Sequence, residues 1–176
     1  MSALFPASRR TLISETWKSL KHAYGSAENI PALLLALPHY PRCEKHDDEP
    51  WYTLWSSLCH QQDIYNASIA AVPQILMIAE AAPWRIDHNY LSLPACIEIC
   101  RRRDSLEFEE GILAPYLKSL ANIPNIVHAT KDSEWNDGFT RAACAALAVA
   151  KGQWEYANVI IELDPETRKE YENWLR

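Results

Sequence analysis

Residues 51–79 read WYTLWSSLCHQQDIYNASIAAVPQILMIA and predict two helices that fold back on each other across a short polar turn. The first half places apolar residues three and four positions apart, at Trp51, Leu54, Trp55 and Leu58. That spacing is one face of an α-helix, so we expect a helix that begins near Trp51. His60-Gln61-Gln62 is the predicted turn, and Asp63 is expected to cap the next helix.

The second half of this segment carries two apolar stripes rather than one. They are formed by Ile64, Ser68, Ala71 and Ile75, and by Tyr65, Ile69, Val72 and Leu76. A helix with apolar residues on two faces contacts neighbours on both sides, so we expect it in the inner layer of the fold. Pro73 lies within the pattern and predicts a bend in the helix rather than its end.

Residues 141–163, RAACAALAVAKGQWEYANVIIEL, repeat the plan of two helices joined by a short turn. Lys151-Gly152 forms this turn, and Asp137 is expected to cap the first of the two helices. Other helices and one loop complete the prediction: helices at 11–24, 31–37, 95–103 and 106–121, and a loop at 122–136.

A terminal helix is predicted to follow the second hairpin. Asp164 is its expected cap, and Pro165 occupies the first helical position, where proline is tolerated. Tyr171, Trp174 and Leu175 are the large apolar residues of this helix. We expect them to cover the open end of a stack of hairpins.

The segment Arg141–Leu163 resembles a HEAT-type helical repeat, and Leu54–Pro73, LWSSLCHQQDIYNASIAAVP, resembles a motif of bacterial HEAT-like proteins. That motif often has a glycine in the turn, where this chain has Gln62 and Asp63. The resemblance implies an all-α fold: a right-handed α-α superhelix of three to four HEAT-like helical hairpins with a capping C-terminal helix. The expected organisation is one domain over residues 1–176, with the proline-rich loop 38–50 as a candidate insertion.

The composition favours a protein partner over nucleic acid or a membrane. The chain has 176 residues and a net charge of −6, and an acidic protein neutralises phosphates poorly. Its negative field attracts a basic partner. No apolar run approaches the ~20 residues of a membrane span, and the N-terminus lacks the apolar core of a signal peptide. Five cysteines without a disulfide-framework spacing favour the cytoplasm.

The residues that could carry chemistry do not form a recognised motif. His39, Cys43 and His46 in the 38–50 loop are candidate zinc ligands by type, but the second ligand pair of a zinc signature is missing. Cys96 and Cys100 lie one helical turn apart among apolar residues, which is typical of a core helix. We therefore predict no metal site, no cofactor and no catalytic residues.

A polar ridge beside the first turn is the predicted partner-binding site. Its members are Tyr52, Ser56, His60, Gln61, Gln62 and Asn66. Amide and amphipathic side chains on an exposed ridge suit protein recognition. The alternative is that the amides of Gln61, Gln62 and Asn66 only satisfy the backbone of a long turn.

These observations predict a non-enzymatic protein-binding module. Size, acidity, aromatic content and the resemblance to small bacterial HEAT-like proteins together suggest an immunity protein that neutralises a cognate, basic bacterial toxin by occluding it. One alternative is a HEAT-like enzyme, either a nucleic-acid repair enzyme or a metal-dependent hydrolase using the 38–50 loop. The other is a scaffold subunit of a larger complex.

Overall fold

The computed structural model describes residues 16–176, which are mostly helical. The α-helices are α1 Thr16–Ser19, α2 Ile30–Ala36, α3 Trp51–Leu58, α4 Asn66–Ala81, α5 Asn89–Arg103, α6 Glu110–Ala121, α7 Ile123–His128, α8 Asp137–Ala150, α9 Trp154–Glu162 and α10 Pro165–Trp174. Short 3-10 helices span Leu37–His39 and Pro83–Arg85. The strands β1 Lys21–His22 and β2 Gly25–Ser26 pair antiparallel, with Lys21 opposite Ser26. The all-α prediction is confirmed at this level.

The N-terminal prediction of a helix over 11–24 is wrong beyond Ser19. Residues 11–15 lie outside the described residues, and after α1 the chain turns into the β1–β2 ribbon. The ribbon is held from outside: the Ala23 N–H donates to the Ser57 carbonyl at 3.1 Å. Gly25, the first residue of β2 after the turn, has φ +120°, which glycine adopts without penalty. The chain therefore forms a ribbon tied to α3 where the local pattern predicted a helix.

The centre of the molecule is formed by α4 and α5. As the two apolar stripes predicted, α4 is buried on both sides and packs against α5 and α6. Helix α5 in turn packs against α8 and α9. The largest fully buried rings, those of Trp51, Tyr90 and Tyr116, lie on three different helices around this centre. Pro73 lies within α4, and the helix continues past it to Ala81, as predicted.

The predicted pairing of helices is confirmed for one hairpin and wrong for two. Helices α8 and α9 pack directly on each other across Lys151-Gly152. Helix α3 instead packs mainly on α2 and α5, and α6 packs mainly on α4. The reason is that α4 and α5 each bury two faces, so helices that are neighbours in the sequence settle on different sides of them.

Several helix ends differ from the predicted ones because other caps are used. Helix α4 begins after Tyr65, not Asp63, and Asn136 rather than Asp137 caps α8 through a 2.8 Å bond from the Phe139 N–H. Helix α5 begins six residues before Ala95, and α6 begins at Glu110 rather than Leu106. The predicted loop 122–136 contains α7, whose Pro124 lies in its first turn, where proline is tolerated.

The terminal helix forms as predicted, but none of its own residues is buried. Asp164 caps α10 by accepting the Thr167 N–H at 2.7 Å. The prediction that its apolar residues cover the end of a stack is wrong, because α10 has no buried residue and all three are exposed, namely Tyr171, Trp174 and Leu175. No helix in residues 16–176 is both long and apolar enough to cross a membrane.

Candidate functional site

The turn between α3 and α4 has an unusual backbone. Gln61 and Gln62 adopt φ values of +49° and +69°, in the left-handed region that glycine adopts without penalty. Both side chains are exposed. The turn is closed by the Asp63 N–H, which donates to the His60 carbonyl at 2.8 Å. Two consecutive non-glycine residues in this region need support from outside the turn.

Arg103 at the end of α5 provides part of that support. Its guanidinium donates to the Gln62 side-chain oxygen through Nη1 and to the Gln62 carbonyl through Nη2, the second at 3.3 Å. Asp104 orients the guanidinium by accepting from Nε at 2.8 Å and from Nη2 at 2.7 Å. The hydrogen bonds from Arg103 lower the pKa of Asp104, and Asp104 raises the pKa of Arg103. The pair stays charged and the turn is fastened to α5.

Ser68 fastens the turn from inside. Its buried hydroxyl donates to the Leu58 carbonyl, at the end of α3, at 2.6 Å. The same oxygen accepts the Tyr65 N–H at 2.9 Å, which caps the start of α4. One buried side chain therefore satisfies a backbone group on each side of the turn.

The β1–β2 ribbon packs against the outer side of the turn. The Asn66 side-chain oxygen accepts the Lys21 N–H at 2.7 Å. The Tyr24 hydroxyl and His60 Nδ1 are hydrogen-bonded at 3.2 Å, and the two rings pack edge to face. Tyr24 nevertheless remains 64% exposed. An exposed aromatic ring thus lies beside the exposed amides of the turn.

The six predicted ridge residues divide into two groups. His60, Gln61, Gln62 and Asn66 lie at the turn, and Asn66 and Gln62 use their side-chain oxygens to hold it. Tyr52 is 44% exposed on α3, with its ring against that of His46, and the Ser56 hydroxyl donates to the Thr53 carbonyl at 3.2 Å. The amides of Asn66 and Gln62 therefore have the structural role that was the alternative interpretation. The Gln61 side chain stays exposed.

Sequence reasoning missed two residues of this site. Tyr24 falls within the predicted helix 11–24 and Arg103 at the end of the predicted helix 95–103, so neither was a candidate for this site. The helical pattern of residues 11–24 gave no sign of the ribbon. The run Arg101–Arg103 at a helix end does signal a cation available for a carbonyl, but its partner Gln62 lies 41 positions away.

A polar cleft of about 620 Å³ lies between the start of α5, the 40–44 loop and the segment before α8. Its Asp87 carboxylate accepts the Asn89 N–H at 2.9 Å and the Cys43 N–H at 3.3 Å, so it holds the loop against α5. Burial raises the pKa of Asp87. The Arg85 guanidinium lies over the Tyr40 ring at 4.4 Å. These groups mainly hold the loop in place.

The three candidate zinc ligands of the 38–50 loop take part in other contacts. The His46 ring contacts Tyr52, and the backbone carbonyl of His39, not its imidazole, accepts from Arg85 at 3.3 Å. Burial, and then the charge of Asp87, raise the pKa of Cys43, which disfavours the thiolate that binds metals. Within residues 16–176, no group of three or more His, Cys, Asp or Glu side chains is arranged to hold a metal ion.

Comparison of the chain with family models, with curated proteins and with solved structures found no match.

Proposed function

We propose that this chain is a non-enzymatic protein-binding module whose one HEAT-like hairpin is the pair of α8 and α9. In its most specific form it is an immunity protein that neutralises a basic toxin by occluding it. The observation that carries the proposal is the exposed turn in which Gln61 and Gln62 are held in the left-handed region. The surface formed by Tyr24, His60, Gln61 and Gln62 is called the turn surface below.

The strain in this turn supports a role in recognition. A left-handed backbone costs a non-glycine residue about 1–2 kcal/mol. Such strain persists only where the surrounding structure imposes it, and it concentrates at functional sites. Here Arg103 binds the Gln62 carbonyl directly, and Ser68 and Asn66 hold the segments on either side of the turn. The result is an exposed turn in which Arg103 holds the Gln62 side chain and the Gln61 amide is open to solvent.

The chemistry of the turn surface also suits a protein partner. Tyr24 offers a large ring with a polar tip, and such rings supply much of the binding energy at protein interfaces. Exposed amides such as Gln61 supply both donors and acceptors beside it. A rigid, preorganised surface loses little conformational entropy on binding, which favours affinity.

The charge of the chain supports a basic partner. The net charge is −6, and residues 153–176 alone carry six acidic and three basic side chains. A negative field raises the association rate of a basic protein and steers its approach. That steering weakens as salt screens the charges, so a partner of this kind associates more slowly at high ionic strength.

Cells that express a toxin encoded beside this gene provide the test of the immunity form. Co-expression of the full chain is expected to restore growth and to co-purify the toxin. Absence of protection against every such toxin contradicts the immunity form. Capture of a stable partner that is not a toxin, at native expression, instead supports the scaffold alternative.

The turn surface is tested with a double variant, Tyr24→Ala with Gln61→Ala. We expect at least a tenfold weaker affinity, which corresponds to about 1.4 kcal/mol. The matched control is Tyr156→Ala on α9, because Tyr156 is 68% exposed and lies outside the turn surface. Unchanged affinity of the double variant, with folding intact by circular dichroism, would remove the turn surface from the proposal.

A further inference from the structure

The polar cleft beside the start of α5 is lined by two exposed tryptophans. Trp84, on the 3-10 helix after α4, is 70% exposed, and Trp135, in the segment before α8, is 37% exposed. Tyr40 and Phe139 add two further aromatic rings to the lining. Aromatic rings in a concave site with a few polar groups are typical of small-molecule binding sites. The turn surface shares no residue with this cleft, so the proposed function does not account for it.

Trp135 is held in place by the protein. Its indole N–H donates to Thr130 Oγ1 at 3.1 Å and to the Thr130 carbonyl at 3.3 Å. Its ring packs against that of Phe139, with the centroids 5.3 Å apart. Because its N–H is already used, Trp135 offers a ligand only the apolar surface of a fixed ring. Within residues 16–176, the indole N–H of Trp84 makes no hydrogen bond, so that ring offers a donor as well.

Two charged side chains of the cleft are occupied by contacts within the protein. The Asp87 carboxylate accepts two backbone N–H groups, at 2.9 and 3.3 Å. The Arg85 guanidinium lies over the Tyr40 ring and donates to the His39 carbonyl. The other polar side chains of the lining form no side-chain hydrogen bond or ion pair in the described part of the chain. These are Arg42, Glu44, His88, Ser133 and Glu134.

The lining of the cleft carries charges of both signs. Two guanidinium groups and three carboxylates contribute to it. A phosphate would be repelled by the carboxylates, and a cationic ligand would be repelled by the guanidinium groups. A neutral ligand with several hydroxyls meets neither repulsion. Each hydroxyl both donates and accepts, so it can bond to a carboxylate, a guanidinium, an imidazole or the Ser133 hydroxyl.

We propose that the polar cleft binds a neutral carbohydrate, in the form of a short oligosaccharide. A sugar ring has apolar C–H groups on its faces and hydroxyls around its edge, which matches indole rings and polar side chains in one cleft. Trp84 and Trp135 stack on the ring faces, and Arg42, His88 and Glu134 bond to the hydroxyls. The cleft volume of about 620 Å³ lies within the roughly 300–1,000 Å³ of small-molecule pockets.

Isothermal titration calorimetry of the purified full chain tests the proposal. The probes are maltotriose, cellotriose and tri-N-acetylchitotriose, all of which are neutral. We expect saturable binding of at least one of them, with one site per chain. Its affinity should change little between low and high salt, because the ligand has no charge to be screened. Binding of none of the three overturns the proposal, and so does tighter binding of ATP or of trilysine, which are charged.

Two tryptophan variants assign the binding to the cleft. Trp84→Ala is expected to weaken the affinity about tenfold, because it removes a stacked aromatic ring. Trp174→Ala is the matched control, since Trp174 is 77% exposed on α10 and lies outside the cleft. Equal losses in both variants, or no loss in Trp84→Ala, overturn the assignment. The tests of the turn surface and of toxin neutralisation use no residue of this cleft, so a failed sugar titration leaves their results separate.

Discussion

Two turns in this molecule share a left-handed backbone but reach it by opposite means. In the turn between α8 and α9, Gly152 has φ +75°, and glycine adopts that conformation without penalty. In the turn between α3 and α4, Gln61 and Gln62 adopt it against their own preference. The first of these turns is specified by its own residues. The second is specified by side chains that come from α4, α5 and the β1–β2 ribbon.

The buried hydroxyl of Ser68 is expected to matter most to the strained turn. Ser68→Ala leaves the Leu58 carbonyl and the Tyr65 N–H without their partner, and a buried unsatisfied group costs about 1–3 kcal/mol. We expect the free energy of unfolding to fall by about 2 kcal/mol in urea denaturation. Ser56→Ala is the control, since the Ser56 hydroxyl bonds only within α3. Equal losses in both variants would contradict the role given to Ser68.

A single added carbon at Gly152 is expected to destabilise the turn between α8 and α9. Gly152→Ala meets no atom within 4 Å of the new Cβ, so only the positive φ opposes it. We expect a loss of about 1 kcal/mol in the free energy of unfolding. Gly111→Ala, which also meets open space but lies in α6 without a positive φ, is expected to gain about 0.5 kcal/mol from its better helix propensity. Thermal and urea unfolding measure both, and a gain for Gly152→Ala would contradict the comparison.

The strained turn should instead improve when it receives a glycine. Gln61→Gly removes the steric cost of φ +49° and adds conformational entropy to the unfolded chain, for a net gain of about 0.5 kcal/mol. Gln153→Gly, at φ −93°, is expected to bring no gain. If the turn surface binds a partner, Gln61→Gly is also expected to weaken that binding. A stability gain shared by both variants would show that strain is not the cause.

The stabilisation of the turn by the ion pair of Arg103 and Asp104 is expected to depend on pH. Since Arg103 lowers the pKa of Asp104 below its unfolded value, the stabilisation is fully present above the unfolded pKa of about 4 and is lost as pH falls through the folded pKa. Both side chains are exposed, so solvent screens their attraction. We therefore expect a smaller effect on the free energy of unfolding than for the Ser68, Gly152 and Gln61 variants. Amide NMR shifts should move at Gln62 but not at Gly152 during acidification.

Asp104→Asn is the variant that isolates this effect. It should remove the acid-dependent shift at Gln62, because the neutral amide does not titrate. Asp132→Asn, on the exposed segment after α7, should leave the shift unchanged. Persistence of the shift in Asp104→Asn would assign the titration to another carboxyl.

Much of the secondary structure could be predicted because helix signals are local. Residues 51–58 form α3 as their apolar spacing predicted, and Asp164 caps α10 through its Thr167 bond. The two stripes on α4 placed it correctly at the centre of the fold. Each of these signals acts within about one or two helical turns, which is the range that periodicity and capping describe.

The candidate site could be predicted only in part, for the same reason. The sequence placed His60, Gln61 and Gln62 in a polar turn, because a polar interruption between two apolar patterns is a local signal. It did not place Tyr24 or Arg103 beside them, since those contacts cross 36 and 41 positions of the chain. Nor did it predict that the two glutamines would be left-handed, because their own preference is the opposite.

The pairing of the helices could not be predicted from local sequence patterns. Short turns suggested that each helix packs on the next one, yet α3 lies mainly on α2 and α5, and α6 lies mainly on α4. Helices α4 and α5 bury two faces each, and the other helices pack on those faces in an order that differs from their order in the sequence. Apolar periodicity states that a face is buried but not against which partner, so the packing of the whole chain makes that choice. The same packing holds Gln61 and Gln62 in a conformation that their own chemistry disfavours.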